Sequence, residues 1–197
     1  MDTTPKSQWE YIYQTIPMHQ IPWETGEPSA DLVLLFKQNM LHEGMKVLDV
    51  GCGLGTQTRF MARKGILATG IDISQTAISK AREQLLRERD LIANFVVGDV
   101  GRMPMPKASF EFVYDRGCYH HLSVEQRQEY VKEVARVLVP QGVLHMLIFA
   151  GAMGAFEVIE YFLPKFQAAS AYEDSVVDHT NNNQQIPVHV VRFRKMG

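Results

Sequence analysis

Short apolar segments alternate with longer segments of helical periodicity along most of this chain. The apolar segments cover residues 47–50, 68–71, 94–97, 110–115 and 143–149, and they predict buried strands of a parallel sheet. Between the strands, apolar residues recur at helical spacing, which predicts amphipathic helices. Strands and helices that alternate through right-handed crossovers form a parallel sheet covered by helices on both faces.

The helices are predicted from their caps and their apolar faces. Thr56 and Ser74 are suitable N-caps, the second for a long helix that extends to Arg89. Two more helices are expected, one after Pro28-Ser29 and one from Ser123 to Leu138. The residues expected on the inward or apolar faces of these helices are Leu32, Leu35, Phe36, Met40, Ala77, Ile78, Ala81, Leu85, Tyr130, Val131, Val134 and Leu138. A further apolar helix is expected to contain Phe156, Ile159, Tyr161 and Phe162.

The two ends of the chain do not follow the alternation of strand and helix. Residues 1–30 carry both tryptophans and four of the nine prolines, which predicts an N-terminal cap segment with one or two helical turns at 11–16. Residues 171–177 and 188–193 are predicted strands joined through the polar stretch 181–185. The expected fold is therefore α/β, with one doubly wound, mostly parallel seven-stranded sheet that ends in an antiparallel hairpin. Residues 31–197 are expected to form one domain behind the cap segment.

The stretch from Val47 to Thr56 constrains the function most. A strand leads into Gly51, Gly53 and Gly55, where glycine lets the backbone turn sharply and lets a ligand approach the main chain. The next strand ends in Asp72, about 20 residues beyond the first glycine, the separation that brings a carboxylate onto ribose hydroxyls. Together these features predict a nucleoside-binding site.

The spacing of the glycines decides between cofactor classes. A dinucleotide fingerprint needs glycine at its sixth position, which here is Thr56, and no Gly-Lys-Ser or Gly-Lys-Thr marks a P-loop. The pattern Asp49-x-Gly-x-Gly-x-Gly55 with Asp72 after the next strand resembles the class I S-adenosylmethionine-dependent methyltransferases. The resemblance implies a Rossmann-like methyltransferase fold, a glycine loop beside the amino-acid part of the cofactor, and Asp72 on the ribose. It also implies that Asp99, after the third strand, binds the adenine amino group.

The segment from Ile21 to Ser29 precedes the sheet and contains Pro22-Trp23 with Gly26 three residues later. This arrangement resembles small-molecule methyltransferases of the thiopurine- and tellurite-detoxifying type, in which the segment folds over the methionine end of the cofactor. Alternatively, Trp23 only fills the base of the domain, as buried tryptophans often do.

The chain after the fourth strand carries polar groups that could meet a methyl acceptor. Arg116 could pair with the cofactor carboxylate through its fork of donors, or with Asp49 or Asp115 as a structural pair. The catalytic residue stays unassigned, with Tyr119, His120 and His121 as candidates, and the histidines could equally serve as caps or core residues. The residues expected at the cofactor are Trp23, Asp49, Gly51, Cys52, Gly53, Gly55, Asp72, Ile73, Asp99, Val100 and Arg116.

Composition limits the remaining possibilities. A formal charge of −2 gives no basic footprint for nucleic acid, and no apolar run is long enough to span a bilayer. No charged start followed by an apolar run marks a signal peptide, so a cytoplasmic protein is expected. The two cysteines, Cys52 and Cys118, lack the spacing of a zinc site, so no metal is expected and small core residues are the favoured role.

The resulting hypothesis is an S-adenosylmethionine-dependent methyltransferase that acts on a small molecule through a sulfur, nitrogen or oxygen nucleophile. The alternatives are a methyltransferase for RNA or protein and a cofactor-binding module without catalysis.

Overall fold

A computed structural model describes residues 5–178 and 180–197 of the chain. The helices are α1 (Pro5–Thr15), α2 (Ala30–Lys37), α3 (Thr56–Arg63), α4 (Gln75–Leu86), α5 (Val124–Val137) and α6 (Ala155–Phe162), with short 3-10 turns at Met18–Gln20 and Tyr119–His121. The strands are β1 (Lys46–Val50), β2 (Leu67–Asp72), β3 (Asn94–Val97), β4 (Phe110–Arg116), β5 (Leu138–Phe149), β6 (Phe166–Asp178) and β7 (Gln184–Lys195). Among the described residues, none of the helices has the length and apolar content that crossing a membrane requires.

The seven strands form one sheet in the order β3-β2-β1-β4-β5-β7-β6. Strand β7 runs antiparallel to both β5 and β6, whereas β1, β2 and β3 are parallel to one another, as are β4 and β5. The predicted mostly parallel sheet with a closing antiparallel hairpin is therefore confirmed.

The chain divides into two compact units, residues 1–99 and 100–197. In the first unit, β2 lies between β1 and β3, with Thr69 aligned to Leu48 on one side and to Asn94 on the other. Helix α4 buries Ala77, Ile78 and Ala81 completely, as its apolar spacing predicted.

In the second unit, the core is aromatic. Phe162 on α6 lies 4.5 Å, centroid to centroid, from Phe193 on β7 and 5.4 Å from Phe166 on β6. Helix α5 starts with a capping box, in which the Ser123 hydroxyl accepts from Gln126 N and the Gln126 side chain accepts from Ser123 N. The boundary between a cap segment, residues 1–30, and a domain, residues 31–197, stays a prediction.

Several element boundaries differ from those that the sequence predicts. Helix α1 covers 11 residues and not only 11–16, because its apolar face packs on α4 and tertiary contact extends it. Helix α4 ends at Leu86, and α2 ends at Lys37, before Met40. Strand β5 begins at Leu138 and not at residue 143, and its pairing with β4 is irregular between Phe110 and Phe112.

The glycine loop is capped differently from the prediction. Gly55, with a φ of +74°, is the N-cap of α3, and Thr56 is the first helical residue. Only glycine adopts this left-handed conformation easily, so the third glycine and not the threonine ends the loop. A Cβ at position 55 would overlap the ring of Phe95 and lie 3.1 Å from the Ala81 Cβ, which means that α3 starts in close contact with its neighbours.

We expect Gly55→Ala to destabilise the protein by about 2–5 kcal/mol, because left-handed strain and overpacking both act there. Gly26→Ala is the matched control: its φ is +76°, but a Cβ there has no neighbour within 4 Å. Strain alone should cost it about 1–2 kcal/mol. Urea unfolding of the two variants measures the difference, and equal losses would contradict the packing argument.

Candidate functional site

The glycine loop and the end of β2 are joined through Asp72. The Asp72 carboxylate accepts a hydrogen bond from Gly53 N at 2.9 Å through Oδ2 and from Ser74 N at 2.9 Å through Oδ1. Only 7% of Asp72 is exposed, and this burial raises the pKa of the carboxyl against the opposing effect of the N–H donors. Asp72 therefore lies at the glycine loop, as the spacing predicted.

Two other predicted residues of the loop region are core residues by their side chains. Asp49 is buried on β1, and its Oδ2 accepts from the Thr58 hydroxyl at 2.6 Å. Cys52 packs in a buried cluster with Ile78 and Phe95, and burial raises the pKa of its thiol. The Cys52 side chain is thus buried, as expected of a small core residue, whereas any contact of Asp49 or Cys52 with the cofactor stays a prediction.

The turn after β3 also reaches Asp72. Gly98 N donates to the Asp72 carbonyl oxygen at 2.9 Å, so the residue that follows, Asp99, comes near the same end of the sheet. The Asp99 side chain is exposed and Ile73 is half-buried, whereas Val100, the first residue of the second unit, is only 7% exposed. Their contacts with a cofactor remain predictions.

The cap segment lies against the glycine loop through Glu24. Its Oε1 accepts from Leu54 N at 2.9 Å, and its Oε2 makes a longer contact of 3.4 Å with the Thr56 hydroxyl. The Glu24 side chain is buried, and this burial raises its pKa to about 7. A buried carboxylate thus adjoins the loop that the sequence assigns to a cofactor.

Tyr13 and Trp23 complete this part of the cap segment. The Trp23 indole Nε1 donates to the Tyr13 hydroxyl at 3.1 Å, and both rings belong to an apolar cluster that includes Leu54 of the loop. A Cβ at position 53 would lie 2.5 Å from Glu24 Oε1 and 2.7 Å from the Tyr13 hydroxyl. Gly53 is therefore required by the cap segment itself, before any ligand is considered.

Glu10 anchors α1 to the start of α4. Its carboxylate accepts from the Ser74 hydroxyl at 2.7 Å and from Thr76 N at 3.2 Å. Partial burial is the largest single influence on the pKa of Glu10 and raises it, but the hydrogen bonds together outweigh burial and lower the pKa. Lys80 Nζ on α4 donates to the Tyr13 carbonyl oxygen at 2.6 Å. The cap segment is thus bound both to the glycine loop and to the helix that follows Asp72.

In the second unit, Asp115 at the end of β4 is fully buried. It accepts from the Tyr130 hydroxyl at 2.7 Å and from Cys118 N at 2.8 Å, and burial raises its pKa to about 6. Within the described residues Asp115 also accepts from Tyr119 N at 3.2 Å. The pairing of Arg116 with the cofactor carboxylate, with Asp49 or with Asp115 stays a prediction. Arg116 is half-buried.

Asp115 positions the 3-10 turn that carries the three catalytic candidates. His120 is buried, with its ring 4.3 Å from that of His121 and 4.7 Å from that of Phe149. Neither ring nitrogen of His120 has a hydrogen-bond partner within the described part of the chain, and burial lowers its pKa to about 4. His120 is therefore a neutral, buried imidazole with its polar atoms available.

The other two candidates differ in their surroundings. Tyr119 is fully buried between Tyr130 and Phe162, burial raises its pKa, and its hydroxyl has no partner among the described residues. His121 is exposed. The three candidates share one turn, but only His120 and Tyr119 present buried polar atoms.

Sequence reasoning missed Tyr13, Glu24 and Glu10. Each lies in the cap segment, where no periodicity links the residues to the glycine loop about 30 or more residues later. The one signal was the position of Glu24 directly after Trp23, in the segment that resembles the cofactor-covering part of small-molecule methyltransferases.

Known proteins match this chain both in sequence and in fold. A model of the methyltransferase domain family matches residues 47–142, which include β1 to β4 and the glycine loop. A 2-heptyl-1-hydroxyquinolin-4(1H)-one methyltransferase of Mycobacteroides abscessus is 28% identical over 65% of this chain and 56% of its own length. A 2-methyl-6-phytyl-1,4-hydroquinone methyltransferase of Synechocystis is 36% identical over 53% of this chain and 32% of its own length. The chain thus spans about half or less of these two curated relatives.

An uncharacterised methyltransferase of Schizosaccharomyces pombe is 34% identical, and the match covers 52% of this chain and 69% of that protein. Two solved structures share the fold. One, described as the conversion of a disulfide bond into a thioacetal group during echinomycin biosynthesis, has a TM-score of 0.85 and 24% identity, covering 97% of this chain and 92% of that one. The other, a TehB-like S-adenosylmethionine-dependent methyltransferase of Corynebacterium glutamicum, has a TM-score of 0.69 and 19% identity, covering 96% and 95%. With its glycine loop, its strand order and these relatives, the chain belongs to the class I S-adenosylmethionine-dependent methyltransferases.

Proposed function

We propose that this protein transfers the methyl group of S-adenosylmethionine to a nucleophilic atom of a small molecule. The observation that carries the proposal is the group of carboxylates at the glycine loop, Asp72 and Glu24, which flank Gly53. A pyrophosphate beside the loop would be repelled by them, whereas a cofactor with positive charge at its 5′ end is attracted. The residues present thus fit this cofactor and disfavour a dinucleotide.

When bound, S-adenosylmethionine supplies an electrophilic methyl carbon, which a nucleophile attacks in line while S-adenosylhomocysteine leaves as a neutral thioether. Asp72 is proposed to accept hydrogen bonds from ribose hydroxyls. In support, two backbone N–H donors hold its carboxylate at the end of β2. Asp99 is proposed to accept from the adenine amino group. The contribution of these residues is to hold the donor in one orientation, which is the main requirement of an in-line displacement.

On the acceptor side, the proposal assigns the polar contact to His120. Its imidazole is neutral near pH 7, since burial lowers its pKa to about 4, and it can accept a hydrogen bond from a hydroxyl. A pKa this low suits orientation of the hydroxyl better than full removal of its proton. The ring of Phe149, 4.7 Å from that of His120, suits an aromatic acceptor.

The names of the relatives narrow the substrate class. The Mycobacteroides protein is named for a hydroxyquinolinone with a heptyl group, the Synechocystis protein for a hydroquinone with a phytyl group, and a Tropheryma whipplei protein, 36% identical over 107 residues, for demethylmenaquinone. All three names describe ring compounds that carry oxygen. We therefore propose an oxygen-bearing ring compound of the quinone or quinolone type as acceptor.

The proposal is tested by incubating the protein with S-adenosylmethionine labelled in its methyl group and with hydroquinones, hydroxyquinolones, thiols, amines and RNA. Label on a ring compound supports it. Label only on RNA or protein would favour a macromolecular substrate. Tight cofactor binding without any product would instead favour a binding module that lacks catalysis.

We expect Asp72→Ala to weaken binding of S-adenosylhomocysteine by about 1–3 kcal/mol, because the ribose hydroxyls lose a charged acceptor. Calorimetric titration gives this value, and thermal unfolding of the variant controls for the loss of the Gly53 and Ser74 hydrogen bonds. Unchanged affinity would show that Asp72 does not hold the ribose.

We expect His120→Ala to lower kcat/KM for the methyl acceptor about 10- to 100-fold, since a hydroxyl would lose its hydrogen-bond partner. Affinity for S-adenosylhomocysteine should not change. His121→Ala is the matched control, because the neighbouring ring is exposed. Equal losses in both variants, or a loss of cofactor affinity, would contradict the role given to His120.

A further inference from the structure

We infer that Glu24 is a further cofactor-binding residue, whose carboxylate accepts hydrogen bonds from the ammonium group of the amino-acid part of the cofactor. The inference rests on the proposed function and extends it to the cap segment, which contributes a charged residue to the site. Glu24 lies far from the glycine loop in sequence, and only the fold brings the two together.

The Glu24 carboxylate can accept more hydrogen bonds than the described residues donate to it. A carboxylate offers about four lone-pair sites. Within the described residues, Leu54 N fills one of these sites at 2.9 Å and the Thr56 hydroxyl makes only a long contact at 3.4 Å. A buried carboxylate with this much remaining capacity is unfavourable unless a further donor arrives.

The charge of Glu24 is not neutralised by an ion pair within the described part of the chain. Arg59 on α3 lowers the pKa of Glu24 through its charge, but its Nε donates to Glu88 at 3.0 Å and its Nη1 to the Leu54 carbonyl oxygen at 2.7 Å. The other titratable groups that interact with Glu24 are Tyr13 on α1, Cys52 in the glycine loop and Asp72 at the end of β2, and none of them supplies positive charge. A cationic ligand group would supply the missing charge.

The 5′ substituent of the bound cofactor is expected to extend from the ribose toward Glu24. With its ribose at Asp72, a nucleoside places its 5′ substituent beside the glycine loop and the N-terminus of the following helix. In S-adenosylmethionine this substituent carries an ammonium group. Glu24 Oε1 lies 2.5 Å from the position of a Cβ on Gly53, so the Glu24 carboxylate directly borders the loop along which the 5′ substituent is expected to lie.

The test compares two ligands that differ only in the amino-acid part. S-adenosylhomocysteine carries the ammonium group, and 5′-methylthioadenosine lacks it but keeps the ribose and adenine. We expect Glu24→Gln to weaken S-adenosylhomocysteine about 10- to 100-fold in calorimetric titration of the full chain, because a charge-assisted hydrogen bond is lost. Affinity for 5′-methylthioadenosine should stay within about twofold, since Gln keeps an acceptor for Leu54 N.

Two further variants serve as controls for this result. Glu27→Gln removes an exposed carboxylate of the same segment and should change neither affinity. Asp72→Ala should weaken both ligands alike, because both contain the ribose. Equal weakening of both ligands in Glu24→Gln would overturn the inference and leave Glu24 a structural residue, with the proposed function intact. Failure of the unmodified protein to bind either ligand would overturn the proposed function as well.

The pH dependence gives a second readout. In the empty protein, burial raises the pKa of Glu24 to about 7, and a nearby ammonium group would lower it. Below pH 7, binding of S-adenosylhomocysteine must then release a proton, so affinity should rise between about pH 5.5 and 7.5. Burial also raises the pKa of Asp72, but that effect acts on both ligands. The profile should therefore be steeper for S-adenosylhomocysteine than for 5′-methylthioadenosine, and Glu24→Gln should remove the difference; parallel profiles in the unmodified protein would count against the inference.

Discussion

The hydrogen bond from Gly53 N to the Asp72 carboxylate connects the turn after the first strand to the end of the second. Parallel strands bring their carboxyl ends to the same edge of a sheet, but this proximity alone does not set the conformation of the turn. Here one buried carboxylate accepts from the N–H of Gly53 through Oδ2 and from that of Ser74 through Oδ1, so the glycine loop and the N-cap of α4 share one side chain. Because burial without these donors would be costly, the loop and the carboxylate stabilise each other.

The cap segment adds a second layer of the same kind. Glu10 binds the start of α4, and Glu24 binds the start of α3 and the loop before it. Helix N-termini have unpaired N–H groups and a positive partial charge, and Glu10 satisfies one of these groups, Thr76 N, on α4. Glu24 instead accepts from Leu54 N, which lies in the loop just before α3. Glu10 and Glu24 therefore hold α1 and the segment around residue 24 against the two backbone segments that are proposed to meet the cofactor.

In the second unit the buried Asp115 has an analogous role. It binds the Tyr130 hydroxyl of α5 and the N–H groups of the turn that follows β4, and so determines how that turn leaves the sheet. The result is a turn in which Tyr119 and His120 are buried while His121 is exposed. The hydrogen bonds to Asp115 thus help to fix the turn in which Tyr119 and His120 are shielded from water and His121 is not.

The sequence by itself determined the strand-helix alternation, the order of the strands along the chain, and the association of the glycines with Asp72, because periodicity and spacing are local properties. It also predicted that Cys52 is a core residue. Only the tertiary structure decided that Gly55 and not Thr56 caps α3, that α1 extends to Pro5, and that Asp115 binds the Tyr130 hydroxyl. The partnership of Glu24 with Leu54, 30 residues away, has no local signature either. Contacts of this kind depend on which backbone donors the fold leaves unsatisfied, and that quantity exists only once the chain is packed.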